Sequence, residues 1–163
     1  MKFEELKFEQ NLMEGIEAMN FQEMTPIQEQ AIPLVMEGRD VIACAQTGTG
    51  KTAAYLLPLL NRMLKEEHDS ESVNAIIMAP TRELAQQIDQ QLEGFSYFLP
   101  ITSVPVYGGN DASAWEQQKR AMQMGADFVI ATPGRLISHI NLGYVDFSKV
   151  NYFVLDEADR MLD

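Results

Sequence analysis

The stretch with the most chemistry per residue is Ala45-Gln46-Thr47-Gly48-Thr49-Gly50-Lys51-Thr52. Gly48 and Gly50 let the backbone curl so that successive N–H groups point inward, a nest for phosphate oxygens. A helix starting there adds roughly half a positive charge at its N-terminus. Lys51 supplies a full charge suited to β- and γ-phosphates, and the Thr52 hydroxyl suits Mg²⁺. The general phosphate-loop pattern is G-x-x-x-x-G-K-[ST], and Ala45 stands where its first glycine would be. The plain alternative is a glycine-rich strand-to-helix turn followed by an unrelated Lys-Thr. A triphosphate site also calls for carboxylates at a strand end, and Leu155-Asp156-Glu157 offers two. Asp156 suits the metal, and Glu157 suits a general base on the attacking water. Alone, that pair reads more readily as the acidic first turn of a helix, and the phosphate loop in a parallel sheet reverses that order.

The elements that must hold these residues follow from the alternation of short apolar runs with helical patterns. The runs Val41–Ala45, Val73–Ala79, Thr102–Tyr107, Phe128–Ala131 and Val150–Leu155 predict five strands. Helical patterns follow them at Lys51 to about Lys65, Arg82–Phe98, Ala112–Met124 and just beyond Gly134. Such alternation predicts an α/β fold, a parallel sheet with helices on both faces. Ligands in such sheets bind at the carboxyl ends of the strands. Ahead of the first strand, Phe3–Ala18 reads as one helix. Thr25-Pro26 opens another over Ile27–Met36, with Gly38 ending it. Pro58 is expected to kink the helix after the glycine-rich turn.

The 163 residues suit a single domain (1–38 leading into 39–163) large enough for its own core. One cysteine, Cys44, excludes an internal disulfide and fits a reducing, cytoplasmic setting, with the side chain packed in the first strand. The charged start MKFEELKFEQ has no signal-peptide core, and no apolar run approaches membrane-span length. His68 and His139 have no partners at metal-ligand spacing, so no zinc site is expected. Trp115 reads as helix packing. Formal net charge is −12, with −6 in residues 1–40, −3 in 65–72 and −3 in 156–163. The remainder sums to zero, so contact with a polyanion would rest on N–H groups and a few arginines.

Taken together, the phosphate loop, Pro80-Thr81-Arg82-Glu83-Leu84-Ala85, Gly108-Gly109, Thr132-Pro133-Gly134-Arg135 and Asp156-Glu157-Ala158-Asp159 resemble the ordered motifs of the DEAD-box RNA helicases. Phe21, seven residues before Gln28, resembles that family's adenine-selecting Q motif, with Asn20 where a glycine is usual. Phe3, seventeen residues before Asn20, stands where the family has an isolated aromatic. The resemblance spans Phe3 to Leu162 and implies an N-terminal RecA-like domain of an ATP-dependent RNA helicase. It implies ATP and Mg²⁺ as cofactors. Phe21 would pack on adenine and Gln28 would bond its edge, with Thr25 alongside. Residues 45–52 would hold the phosphates, and Thr52 and Asp156 the metal, with Lys51, Asp156 and Glu157 catalytic. Pro80, Thr81, Arg82, Gly109, Thr132, Pro133, Gly134 and Arg135 would meet the sugar–phosphate backbone of RNA. Asp159 would serve a switch contact to a Ser-Ala-Thr motif.

The sequence holds no Ser-Ala-Thr motif. The resemblance places a strand leading to that motif between the phosphate-loop strand and the Asp-Glu-Ala-Asp strand, and a second RecA-like domain carries arginine fingers. The sheet is therefore expected to be incomplete at its C-terminal end. An empty lane of about 9–10 Å would separate those two strands, leaving either a piece of a longer chain or abnormal pairing. The 163 residues alone are expected to bind nucleotide weakly and hydrolyse it barely. The competing readings are a non-catalytic nucleotide- or RNA-binding regulatory module and another phosphate-loop ATPase.

Overall fold

The computed structural model describes residues 1–46, 48–108 and 112–161. Four of the five expected strands form: β1 (Ala75–Met78), β2 (Ser103–Val106), β3 (Phe128–Ala131) and β4 (Tyr152–Leu155). All are parallel, in the order β2-β3-β1-β4. The central strands read as continuous apolar runs, AIIM and FVIA, and are buried almost throughout, as a parallel sheet demands. Pro105 sits in β2, at an edge, where a missing N–H is tolerated. β4 forms the other edge and alternates between half-buried and exposed residues, leaving Phe153 59% and Leu155 41% accessible.

The expected strand at Val41–Ala45 does not form. Residues 41–44 are exposed, Ile42 by 98%. A five-residue strand with no neighbour has no ladder for its N–H and C=O groups, so water serves them instead. Cys44 is accordingly exposed rather than packed in a core. The expected helix over Phe3–Ala18 is also broken. A 3₁₀ turn (Phe3–Leu6) ends at Lys7 in the left-handed region (φ 56°), and α1 spans Gln10–Ala18. The break lets Phe3 and Phe8 both reach the interior, which one continuous helix would not permit at that spacing. The other helices are α2 (Pro26–Met36), α3 (Lys51–Lys65), α4 (Arg82–Phe95), α5 (Ala112–Met124), α6 (Pro133–Asn141) and the short α7 (Ala158–Met161). α2 accommodates Pro33, and α3 runs through Pro58 without ending there.

The chain forms two compact units, residues 1–67 with 91–100, and residues 68–90 with 101–163. In the first, α2 packs on α3, and Phe3, Leu12, Ile16, Ile32 and Phe95 are fully buried. Gly15 permits the contact with the 91–100 segment, since a Cβ there would lie 2.4 Å from the Phe95 carbonyl oxygen. In the second, Val73, Ile76, Val104, Val106, Met122, Val129 and Leu136 form an apolar cluster over the sheet.

Polar groups at the amino ends of the strands set the register of that sheet. Asp127, buried just before β3, accepts from the Asn74 side chain (3.0 Å) and from the Thr102 N–H (3.1 Å). Its own N–H donates to the Thr102 hydroxyl at 3.1 Å. The Asn74 carbonyl in turn accepts the N–H groups of Asn151 and Tyr152 at the start of β4. The buried Asp127 carboxylate thus ties the starts of β1, β2 and β3 together, and the Asn74 main-chain carbonyl adds β4. Asp127→Ala is expected to cost about 2–4 kcal/mol of unfolding free energy, because it strands buried donors. Urea denaturation checks this, and a loss below about 0.5 kcal/mol, the size of an ordinary surface change, would contradict it.

Candidate functional site

The glycine-rich turn leads into α3 in the first unit. Gly48 (φ 87°) and Gly50 (φ 82°) are both left-handed, a conformation that glycine enters without steric cost. Gly50 is the N-cap of α3, and no side chain caps that end, so its first-turn N–H groups are left to other acceptors. The Thr49 hydroxyl donates to the Gln46 carbonyl at 2.6 Å, which tightens the turn. Thr47 lies outside the described residues. Lys51 and Thr52 occupy the first turn of the helix, half-buried.

Gln28 is buried and spends its carboxamide inside the protein. Its Oε1 accepts the Thr25 N–H at 2.9 Å, one arm of a capping box at the start of α2. Its Nε2 donates to the Gly50 carbonyl at 3.1 Å. A Cβ on Gly50 would lie 2.3 Å from Gln28 Nε2 and 3.0 Å from the Thr25 hydroxyl. That hydroxyl is itself buried without a hydrogen-bond partner. Phe21 stands edge-on to Phe3 and Phe95, at 5.9 and 5.1 Å between ring centroids. It also lines a cleft of about 280 Å³ with Phe3, Met13 and Gln22. The structure therefore joins Thr25, Gln28 and Gly50. The link was open to sequence reading only as a Thr-x-x-Gln capping signature, which gives no hint of Gly50.

In the second unit the remaining motifs stand in a row. Met78, Ala131, Val106 and Leu155 are level in the sheet register. The ladder continues one residue further through Ala79 N–H to the Ala131 carbonyl, Thr132 N–H to Val106 and Asp156 N–H to Met78, all 2.9–3.1 Å. Pro80-Thr81-Arg82, Tyr107-Gly108, Thr132–Arg135 and Asp156-Glu157 thus leave the same end of the sheet. Gly109 lies outside the described residues. Thr81 does act as a helix cap, its hydroxyl accepting the Leu84 N–H at 3.2 Å. Thr132 precedes Pro133 at the first position of α6 but makes no side-chain cap bond. Asp156 is buried. Glu157 is left-handed (φ 54°), an uncommon conformation for a residue with a Cβ, and pairs with Arg160 at 2.9 Å. Asp159 is exposed on α7. Among the described residues no cluster of three or more His, Cys, Asp or Glu is placed to hold a metal by itself.

Around Arg135 the structure gathers Trp115 and His139, which the sequence marks only as packing and as lacking metal partners, with Gln118 and Tyr144, which it does not mark at all. Arg135 Nε donates to Gln118 Oε1 at 2.9 Å, and its guanidinium lies 4.7 Å from the Trp115 ring centroid. Trp115 stacks flat on His139, 3.6 Å between centroids at 10°. His139 Nε2 meets Gln118 Oε1 at 3.1 Å, and Nδ1 meets the Tyr144 hydroxyl. The carboxamide oxygen only accepts, so Nε2 carries the proton. Burial, reinforced by the Arg135 charge, lowers the pKa of His139 from 6.5 to about 4. The lowered pKa keeps His139 neutral near pH 7, and Nδ1 then accepts from the Tyr144 hydroxyl. Burial and the nearby Glu116 charge raise the pKa of Tyr144. The available signal was helical spacing: 115 and 118 share a face of α5, and 135 and 139 a face of α6.

A family model described as DEAD/DEAH box helicase matches residues 25–163. The chain belongs to that family. It is 43% identical over 162 residues to the ATP-dependent RNA helicase CshA of Listeria monocytogenes, covering 99% of this chain and 30% of that protein. Against the ATP-dependent RNA helicase DDX42 of Gallus gallus it is 44% identical over 163 residues, covering 99% of this chain and 17% of the relative. The crystal structure of the RNA-helicase Prp28 from Chaetomium thermophilum bound to ADP superposes with a TM-score of 0.88 at 41% identity, over 99% of this chain and 39% of that one. The chain thus spans between 17% and 39% of the length of these DEAD/DEAH box relatives. The likeness agrees with the RecA-like α/β fold expected from the motifs.

An unfolded histidine takes up its proton near pH 6.5, whereas folded His139 does so only near 4. The stability it contributes is therefore complete above pH 6.5 and is lost as pH falls through that window. Trp115, the single tryptophan, reports the event directly, because an imidazolium stacked on indole quenches its emission. Emission is expected to hold steady on acidification and to drop with a midpoint near 4. A midpoint near 6.5 would mean that the stack leaves His139 open to solvent.

Proposed function

We propose that this chain is the nucleotide-binding and RNA-contacting part of an ATP-dependent RNA helicase, working with a second RecA-like domain. The observation that carries the reading is the bond from Gln28 to the Gly50 carbonyl. It couples the residue read as adenine-selecting to the turn read as phosphate-holding, within one compact unit. The left-handed glycines and the uncapped start of α3 support binding of the phosphates by main-chain N–H groups, with Lys51 adding charge. Phe21 would hold the adenine ring.

By donor chemistry alone, Thr52 of the first unit and Asp156 of the second would each offer the oxygen ligand that Mg²⁺ prefers. When bound, the ion would neutralise phosphate charge. Glu157 would accept the proton of the attacking water after giving up Arg160. RNA would lie along the row of strand ends, met by Pro80-Thr81-Arg82, Gly108-Gly109 and Thr132–Arg135. Gly134 supports this: a Cβ there would meet nothing within 4 Å, so the fold itself has no need of a glycine at that position. A backbone approaching from outside would explain it.

Two substitutions test the reading. Lys51→Ala is expected to weaken Mg-ATP binding by at least about tenfold, the loss of one charge-assisted contact. Unchanged affinity in a calorimetric titration would overturn the phosphate-loop assignment. Gly134→Ala is expected to leave stability unchanged or raise it by up to about 1 kcal/mol, by helix propensity. It should nevertheless weaken binding of a ten-residue oligouridine several-fold. Equal RNA affinity with raised stability would remove Gly134 from the RNA face. Turnover of ATP by the 163 residues alone is expected to stay barely above background with RNA present.

A further inference from the structure

Two segments proposed to meet RNA are joined through one buried side chain, Gln118 of α5. Its Nε2 donates to the carbonyl of Tyr107, the residue before Gly108, at 3.3 Å. Its Oε1 accepts from Arg135 at 2.9 Å. The carboxamide cannot rotate freely, because His139 Nε2 holds the same oxygen from the side opposite Tyr144. Trp115 closes the arrangement by lying against both His139 and the Arg135 guanidinium. The Tyr107 ring, in turn, lies 5.5 Å from the guanidinium carbon of Arg82. Arg135 Nη2 is buried and has no hydrogen-bond partner. A buried cationic donor without an acceptor is unfavourable, and the acceptor it lacks is of the kind a phosphate supplies.

We propose that Gln118, braced by the stacked His139 and Trp115, is a positioning residue for RNA binding: it orients Arg135 toward a backbone phosphate and fixes the Tyr107-Gly108 backbone in the same stroke. The inference rests on the reading of Arg135 as an RNA contact and says how that contact is made. Arg135 has a long side chain that would otherwise sample many rotamers. Held at Nε by Gln118 and over the Trp115 ring, it meets a phosphate already oriented. Because one carboxamide serves both segments, displacing Arg135 also loosens Tyr107, and binding at either segment orders the other. Tyr107 and Gln118 need not touch RNA for this.

The test is a double-mutant cycle in the 163-residue chain, with labelled ten-residue oligouridine as the probe and fluorescence anisotropy as the readout. Gln118→Met keeps the shape and removes both hydrogen-bonding functions. Gln118→Glu keeps an oxygen for Arg135. Arg135→Ala and Gln118→Met are each expected to weaken binding about tenfold, and together by no more than the larger single loss. Gln118→Glu keeps the acceptor for Arg135 but loses the donor to the Tyr107 carbonyl, so it should weaken binding less than Gln118→Met does, a partial rescue that general loosening of α5 would not give. Thermal melting of each variant separates misfolding from loss of positioning, and the Glu variant decides the matter if the Met variant proves unstable. Losses that multiply in the double variant, or no rescue by Glu, would overturn the positioning role while leaving Arg135 as a contact. Undiminished binding by Arg135→Ala would overturn the RNA contact itself.

Discussion

Strand register is the constraint on which the motif-bearing part of this structure depends. In a parallel sheet a slip of one residue turns every side chain to the other face and moves each strand end by about 3.3 Å. Here the register is pinned at the amino ends, where Asp127, Asn74 and Thr102 exchange hydrogen bonds in a buried setting. The loops that carry chemistry leave the opposite ends. Rigidity is thus invested at one end of the sheet, and the loops at the other can be glycine-rich and exposed without losing their alignment.

The glycine-rich turn solves a different problem. It must leave main-chain N–H groups open to an anion and still hold one shape. Left-handed glycines give the shape, and the bond from Gln28 keeps it without a side-chain cap that would compete for the same N–H groups. Glu157 shows a comparable compromise: its left-handed backbone is the kind of local cost, about 1–3 kcal/mol, that persists where surrounding structure enforces it. It lies two residues beyond the end of β4. Arg160 neutralises it at close range.

How much of this was legible depended on whether the determinants were local. The strands at 75–78, 103–106, 128–131 and 152–155 announced themselves as apolar runs, and the motifs at their ends as Gly, Pro, Thr and acidic residues. Val41–Ala45 has the same composition yet forms no strand, because pairing depends on a neighbour that no local pattern encodes. The break at Lys7 was hidden for the opposite reason. Residues 3–18 carry a helical apolar spacing, but burying both Phe3 and Phe8 overrides it. Within the site, Lys51, Thr52, Asp156 and Glu157 were readable as motifs, whereas Gln118 and His139 were not. A glutamine in a polar helix and a histidine in an amphipathic one acquire meaning only when α5 and α6 bring them within 3.1 Å.

The claim that binds these observations is that the level carboxyl ends of β1, β2, β3 and β4 form one ligand-facing row. Amide chemical shifts of the isotope-labelled chain, followed during titration with oligouridine, test it most directly. The account expects the largest changes at residues 81–82, 107–108, 132, 134 and 135, with Asn74, Thr102 and Asp127 at the far ends of the same strands unmoved. Changes centred on those amino-end residues, or scattered without regard to strand polarity, would contradict it.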